Sequence, residues 1–286
     1  MTATAPSPSP APGRGRRVIA VGVSARSAVV IAVASVIGLA MFVWPLLVVP
    51  GEEAAHTSDA PMVFVLILPI ILAVVLAEMS SGGMDAKALA LLGVLAAVGA
   101  ALRPVGAGTA GVELVFFLLI LGGRVYGPGF GFVLGCTTLF ASALLTGAVG
   151  PWLPFQMLAS AWVGMGAGLL PRADGRREIV MLAVYGVLAS YAYGFGMNLW
   201  FWPYAIGEGS SLSYVPGAPV LENLHRFALY TLATSTWGWD TGRAITNAVA
   251  VSVLGPSVLV ALRRAARRAA WDAPVEFAPA PEPDRA

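Results

Sequence analysis

The sequence predicts an all-α integral membrane protein of about eight transmembrane helices, and three observations carry that prediction. Of 286 residues, 58% are hydrophobic and only 11% charged, where a soluble domain holds about 25% charged residues. Mean hydropathy is +0.80. Apolar runs also recur at lengths close to the roughly 20 residues a helix needs to cross a bilayer's hydrocarbon core. The same composition excludes an ordinary soluble domain, and it excludes disorder over most of the chain.

The runs follow in order. The first covers residues 28–48 and is interrupted near its far end by Pro45 and Pro50. A second lies at 62–77 and a third at 86–102. A short run at 112–122 is separated from 130–145 by the Gly- and Pro-rich stretch Gly122-Gly123-Arg124-Val125-Tyr126-Gly127-Pro128-Gly129. Three more stand at 152–170, 179–201 and 241–262. Residues 1–27, rich in Pro and Ser, are expected to form a disordered tail before a retained helix, since no small-residue cleavage pattern follows the first run. Residues 269–286, rich in Pro, Ala and Glu, are expected to be a second such tail.

Basic residues orient the spans. Sixteen of the seventeen are arginine, the other being Lys87. With an even number of spans, fourteen fall on the side of the termini and only Arg103, Arg226 and Arg243 on the other. Because cytoplasmic loops carry the excess of Lys and Arg, both termini are expected to be cytoplasmic.

Several function classes drop out. One cysteine, Cys136, and two histidines, His56 and His225, leave no Cys-based zinc site, no disulfide and little for a metal centre. No catalytic Ser/His/Asp set or His-Glu-x-x-His is present, so the chain is expected to be no enzyme and to carry no cofactor. A P-loop is absent too, so any pumping must draw on an ion gradient or another polypeptide. The spans are nearly free of ionisable groups and show no internal repeat, which weakens an ion-coupled transporter acting alone. Nothing points to a nucleic-acid partner.

Polar groups inside a membrane are costly, so each is a candidate contact for function. Glu113, at the outer end of the fourth run, reads either as an interfacial carboxylate, in water or paired with Arg103, or as a group lining an outward pocket. Asn198 and Asn247 read as bonds between helices or as ligand contacts. Asp240 and Arg243, three apart at a helix start, read as a cap and an ion pair. The outer connection from Phe201 to Asp240 reads as a loop of about 40 residues, long enough to be a lid. Its aromatic residues, Trp202, Tyr204, Trp237 and Trp239 among them, offer flat area to a ring-bearing ligand. Trp152 and Gln156 share that surface. With Arg103, these form the candidate substrate site.

In the third run Ala86, Ala90, Gly93, Ala97 and Ala100 recur at spacings of 4, 3, 4 and 3, one stripe of small residues down a helix. Such stripes let another helix approach closely, within this protein or from a separate membrane subunit. With this stripe ending in Arg103-Pro104, the loop 106–109, the run from Leu118 through Gly127-Pro128 to Gly131-x-x-x-Gly135, and Asn247 followed by Leu254-Gly255-Pro256 and an Arg-rich end, the chain resembles the substrate-binding S component of energy-coupling-factor (ECF) vitamin transporters.

The resemblance covers residues 86–268 as a six-helix bundle and leaves two extra helices at 28–85. It implies capture of a vitamin near the outer side. It also implies docking of Ala-x-x-x-Ala segments such as Ala86/Ala90 on a transmembrane coupling subunit, with two cytoplasmic ATPases supplying the energy. The plasma membrane of a bacterium is the implied location. The long aromatic connection and few charges favour a bulky, mostly uncharged ligand, first a cobalamin-type corrinoid, with thiamin precursors, riboflavin and biotin open. Glu113 would suit a cation of the thiamin kind. An ion-coupled transporter and a non-transporting assembly factor remain as alternatives.

Overall fold

A computed structural model describes residues 25–47, 86–106, 109–206 and 209–269. The span expected at 62–77 and most of both expected tails lie outside the described residues. Ten α-helices and one π-helical stretch are present among those residues, and no strand. In chain order they are α1 (Ala25–Phe42), α2 (Trp44–Leu47), α3 (Ala86–Leu102), α4 (Val115–Tyr126), α5 (Pro128–Thr146), α6 (Leu153–Leu169), α7 (Gly175–Ala205), α8 (Val220–Thr231), the π stretch (Leu232–Asp240), α9 (Thr241–Val253) and α10 (Gly255–Ala269).

Helix α4 explains the arrangement. Its sequence is apolar on every side except for Arg124 in the last turn, and nearly every residue is buried, which is what a helix surrounded by others requires. Its 12 residues span only about 18 Å, so the loop before it completes that layer. Gly127, at φ 101°, turns the chain between α4 and α5, and Pro128 opens α5 at the position where a missing N–H costs nothing.

The bundle is drawn together by backbone contact. A Cβ on Gly123 or Gly131 would collide with the backbone of Gly164, and one on Gly135 with Ser160 and Ala161. In a membrane, where apolar burial does not drive helices together, such close approach supplies the packing energy. Around this seam stand α3 against α5, and α9 against α7.

Helix α1 packs on α5, α6 and α7. Trp162 Nε1 donates to Ser35 Oγ at 2.9 Å, and Phe42 meets Phe155 edge-on at 5.1 Å. Val29, Val33, Val36 and Leu39 face outward. At the end of α1, Trp44 Nε1 donates to the Trp200 carbonyl.

The expected outer loop is replaced by helix. Helix α7 continues to Ala205, and Val220–Val253 runs as one continuous helix through the π stretch, so the connection shortens to residues 206–219. Leu199, Trp202, Phe227 and Tyr230 close a small second core beneath it. Trp202 Nε1 donates to the Leu212 carbonyl, and Asn223 exchanges two hydrogen bonds with the Val215 backbone.

The last expected span is bent by 66° between α9 and α10, where Leu254-Gly255-Pro256 breaks the helical ladder. Helix α10 is held back on the bundle by Arg263, which donates to both carboxylate oxygens of Glu178 at 2.7 Å. Arg124 of α4 meets the same carboxylate at 2.7 Å, and Tyr126 donates to the Leu262 carbonyl.

Gly131→Leu and Gly164→Leu are each expected to force the α5–α6 seam apart. Overpacking of this kind costs about 1–3 kcal/mol or more, so size-exclusion chromatography in detergent should show aggregate in place of a single species. Gly93→Ala, with nothing within 4 Å of the added methyl, should keep the melting temperature or raise it slightly.

Candidate functional site

At the end of the bundle opposite Arg124, the chain forms a half-open cleft of about 280 Å³. Arg103, Pro104 and Gly106 form one wall, Val112 and Glu113 a second, Ser142 and Thr146 of α5 with Ala148 just beyond it a third, and Trp239 of the π stretch the last. The loop leading into it is shaped by left-handed residues at Gly106, Ala110 and Gly111. Gly111 lies directly on the Trp239 carbonyl and Gly242 on the Ala110 carbonyl, contacts that a Cβ at either position would forbid.

Beside the cleft stands a buried ionic cluster. Arg243 Nε donates to Glu113 Oε2 at 2.6 Å, and Arg243 Nη1 to Asp240 Oδ1 at 3.0 Å. The guanidinium lies 4.8 Å from the Tyr193 ring centre and 5.5 Å from that of Phe116, a favourable cation–π arrangement. Ser235 donates to the other oxygen of Asp240, which sits where Gly194 leaves room for it. Arg243 and Asp240 are buried, whereas the Glu113 side chain keeps 25% of its surface exposed. That makes Glu113 the member of the cluster that reaches the cleft. Asn247 lies one turn below, donating to Ser190 Oγ at 3.2 Å and to the Arg243 carbonyl at 2.9 Å.

The π stretch presents this cluster. Its wider turn lets Thr236 Oγ1 and Thr241 Oγ1 reach carbonyls five residues back, and π segments are frequent at functional sites.

Of the ten residues singled out by sequence, Arg103, Glu113 and Trp239 meet at the cleft. Gln156 accepts from Arg103 Nη2 at 2.8 Å, and Asn247 joins through Arg243. The remaining five sit elsewhere. Trp202 is fully buried in the second core, and Tyr204 stacks on Trp44. Trp237 is 80% exposed, away from the cleft. Trp152 packs on Gly150, and Asn198 buries an Nδ2 with no hydrogen-bond partner.

Two sequence readings change in detail. Glu113 pairs with Arg243 instead of Arg103. Asp240 and Arg243 do form an ion pair, but Asp240 makes no side-chain cap, because the π stretch runs straight into α9. Reading the sequence also missed Ser142 and Thr146, hydroxyls one turn apart on an apolar helix.

On α3, Ala86, Ala90, Gly93 and Ala97 face away from the bundle, while Ala100 is buried with Leu92, Leu95, Ala96 and Gly99. No group of His, Cys, Asp and Glu able to hold a metal occurs among the described residues.

An all-α membrane bundle with a partly polar cleft at one end, and no nucleotide-binding motif, is the form of a membrane-embedded binding subunit. The chain belongs to the family of ECF transporter substrate-specific components, whose model matches residues 87–262. Members of this family bind small molecules and work with a coupling subunit and ATPases. No curated protein and no solved structure shows significant similarity to the chain.

Arg243→Met should leave Glu113 and Asp240 without their shared cation, at a cost of about 3–5 kcal/mol. Thermal unfolding in detergent measures it. Arg226→Met, which removes an exposed pair with Glu222, should cost less than about 1 kcal/mol by the same measurement.

Proposed function

We propose that this subunit captures a one- or two-ring vitamin or precursor in the cleft bounded by Arg103, Glu113 and Trp239, on the extracellular side of a bacterial plasma membrane, and hands it to a coupling subunit driven by two ATPases. The observation that carries this reading is the cleft itself. It offers a partly exposed carboxylate on one wall, an arginine on another and an aromatic face on a third.

Its volume of about 280 Å³ lies just below the usual range of ligand pockets, roughly 300–1,000 Å³. That size supports a compound on the scale of thiamin or biotin over a corrinoid, whose macrocycle and appended nucleotide are far larger. The charges of Arg103, Glu113, Asp240 and Arg243 cancel, so the cleft suits a ligand carrying both hydrogen-bond donors and acceptors. Glu113 gives a cationic ring a place to sit.

Orientation is supported by the arginines. Arg124, Arg172, Arg176, Arg177, Arg263, Arg264 and Arg267 gather at the end away from the cleft, and an excess of positive charge marks the cytoplasmic side. Helix α1 starts and α10 ends at that same end, which agrees with both termini being cytoplasmic. The outward-facing stripe Ala86, Ala90, Gly93 and Ala97 supports α3 as the docking surface for the coupling subunit.

A thermal-shift panel of thiamin, riboflavin, biotin and cobalamin on the detergent-purified chain tests the ligand. One of the three smaller compounds is expected to stabilise it, by about 2.7 kcal/mol at a hundredfold excess over Kd. Glu113→Gln should weaken that effect at least tenfold. A response to cobalamin alone overturns the size argument, and a flat panel overturns the site. Ala90→Trp and Ala97→Trp should spare ligand binding and reduce co-purification with the coupling subunit; undiminished complex in both removes α3 as the docking face.

A further inference from the structure

We infer that Ser142, with Thr138 one turn deeper on α5, receives an uncharged hydrogen-bonding group of the substrate, so that the molecule enters the cleft tip first. This deepens the proposed function and rests on the cleft being the substrate site. Ser142 lines the cleft and is wholly buried, yet its Oγ has no hydrogen-bond partner. Thr138 is equally buried, and its Oγ1 is equally unpartnered.

The neighbouring hydroxyls behave otherwise. Thr137 Oγ1 bonds the Val133 carbonyl, Thr146 Oγ1 the Ser142 carbonyl and Ser190 Oγ the Gly186 carbonyl, each at 2.7–2.8 Å. Back-bonding to the carbonyl one turn earlier is how helical Ser and Thr satisfy themselves. Ser160 of α6 and Thr231 of α8 also bury a hydroxyl without a partner, but neither lines the cleft. Ser142 and Thr138 stand at i and i+4 on one face of α5, Ser142 in the cleft wall, and lack the partner that a buried polar group calls for. Thr138 lies against Gly99 of α3, with Leu118 of α4 nearby, so the pair runs from the cleft wall down to the junction of α3, α4 and α5.

The chemistry of these surroundings defines the tip. The cleft's charged side chains, Arg103 and Glu113, are partly exposed, whereas Thr138 is buried beside Gly99 and Leu118, neither of them charged. A charged tip would be stranded in apolar surroundings. A hydroxyl, amide, ureido edge or neutral ring nitrogen would instead exchange a bond with a hydroxyl that both donates and accepts. Any charged part of the molecule stays beside Arg103 and Glu113.

The test uses Ser142→Ala and Thr138→Val in the full-length purified chain, with thiamin, riboflavin and biotin as probes. Without ligand, both variants should melt at or above the wild-type temperature, because each removes an unsatisfied buried group. For the compound that stabilises the wild type, Ser142→Ala should weaken binding about tenfold and Thr138→Val several-fold. A marked fall in melting temperature without ligand overturns the inference, since the hydroxyls would then be bonded in the empty protein. Unaltered affinity in Ser142→Ala beside weakened affinity in Glu113→Gln overturns it too, while leaving the cleft as the site. Unaltered affinity in all three variants, or no response to any probe, overturns both readings.

Discussion

A single guanidinium organises the cleft end of this protein. Arg243 joins the loop before α4 through Glu113, the π stretch through Asp240, and α7 through the Ser190 carbonyl and the Tyr193 ring. In low dielectric an unpaired charge is far more costly than in water, so these segments must converge on one point. Glycine makes the convergence possible. Gly194 admits Asp240, while Gly111 and Gly242 let backbone lie on backbone. The cleft is the space left between segments that one cation holds together.

The opposite end uses the inverse composition, one carboxylate shared by two guanidiniums. Glu178 takes Arg124 from α4 and Arg263 from α10, and Arg124 also closes the carbonyls of Leu170 and Pro171 at the end of α6. Between these two ionic layers the protein relies on the glycine seam of α4, α5 and α6. Polar chemistry thus fixes both ends of the bundle, and close backbone packing fixes its middle.

Much of this architecture was legible in the sequence. Helix α3 was readable to the residue, because an apolar run is bounded by Asp85 on one side and Arg103-Pro104 on the other. Arg103 and Glu113 stood out as charged groups at the ends of apolar runs and Trp239 as an aromatic of the outer connection, and the fold does bring them together. Trp202, Tyr204 and Trp237 stood out as aromatics of the same connection, but a second core, a stacking partner and an exposed position claim them. The helix from Val220 to Asp240 was hidden by its composition: Glu222, Asn223, His225 and Arg226, followed by a Thr/Ser-rich stretch, read as loop. The Asp240–Arg243 pair was visible at three-residue spacing, whereas Glu113 lies 130 positions from Arg243 and no local pattern links them. Ser142 was invisible because a serine in an apolar helix ordinarily satisfies itself.

Helix α1 has a mechanical consequence. It is fastened to α6 by a tryptophan–serine hydrogen bond and an aromatic pair, and α2 just beyond it to α7 by the Trp44–Trp200 bond, and it meets the bilayer with a row of valines. Whatever tilt the bundle adopts, α1 must adopt with it. Any reorientation therefore sweeps a wider ring of lipid than the bundle without α1 would, and the annulus it displaces is partly of α1's making.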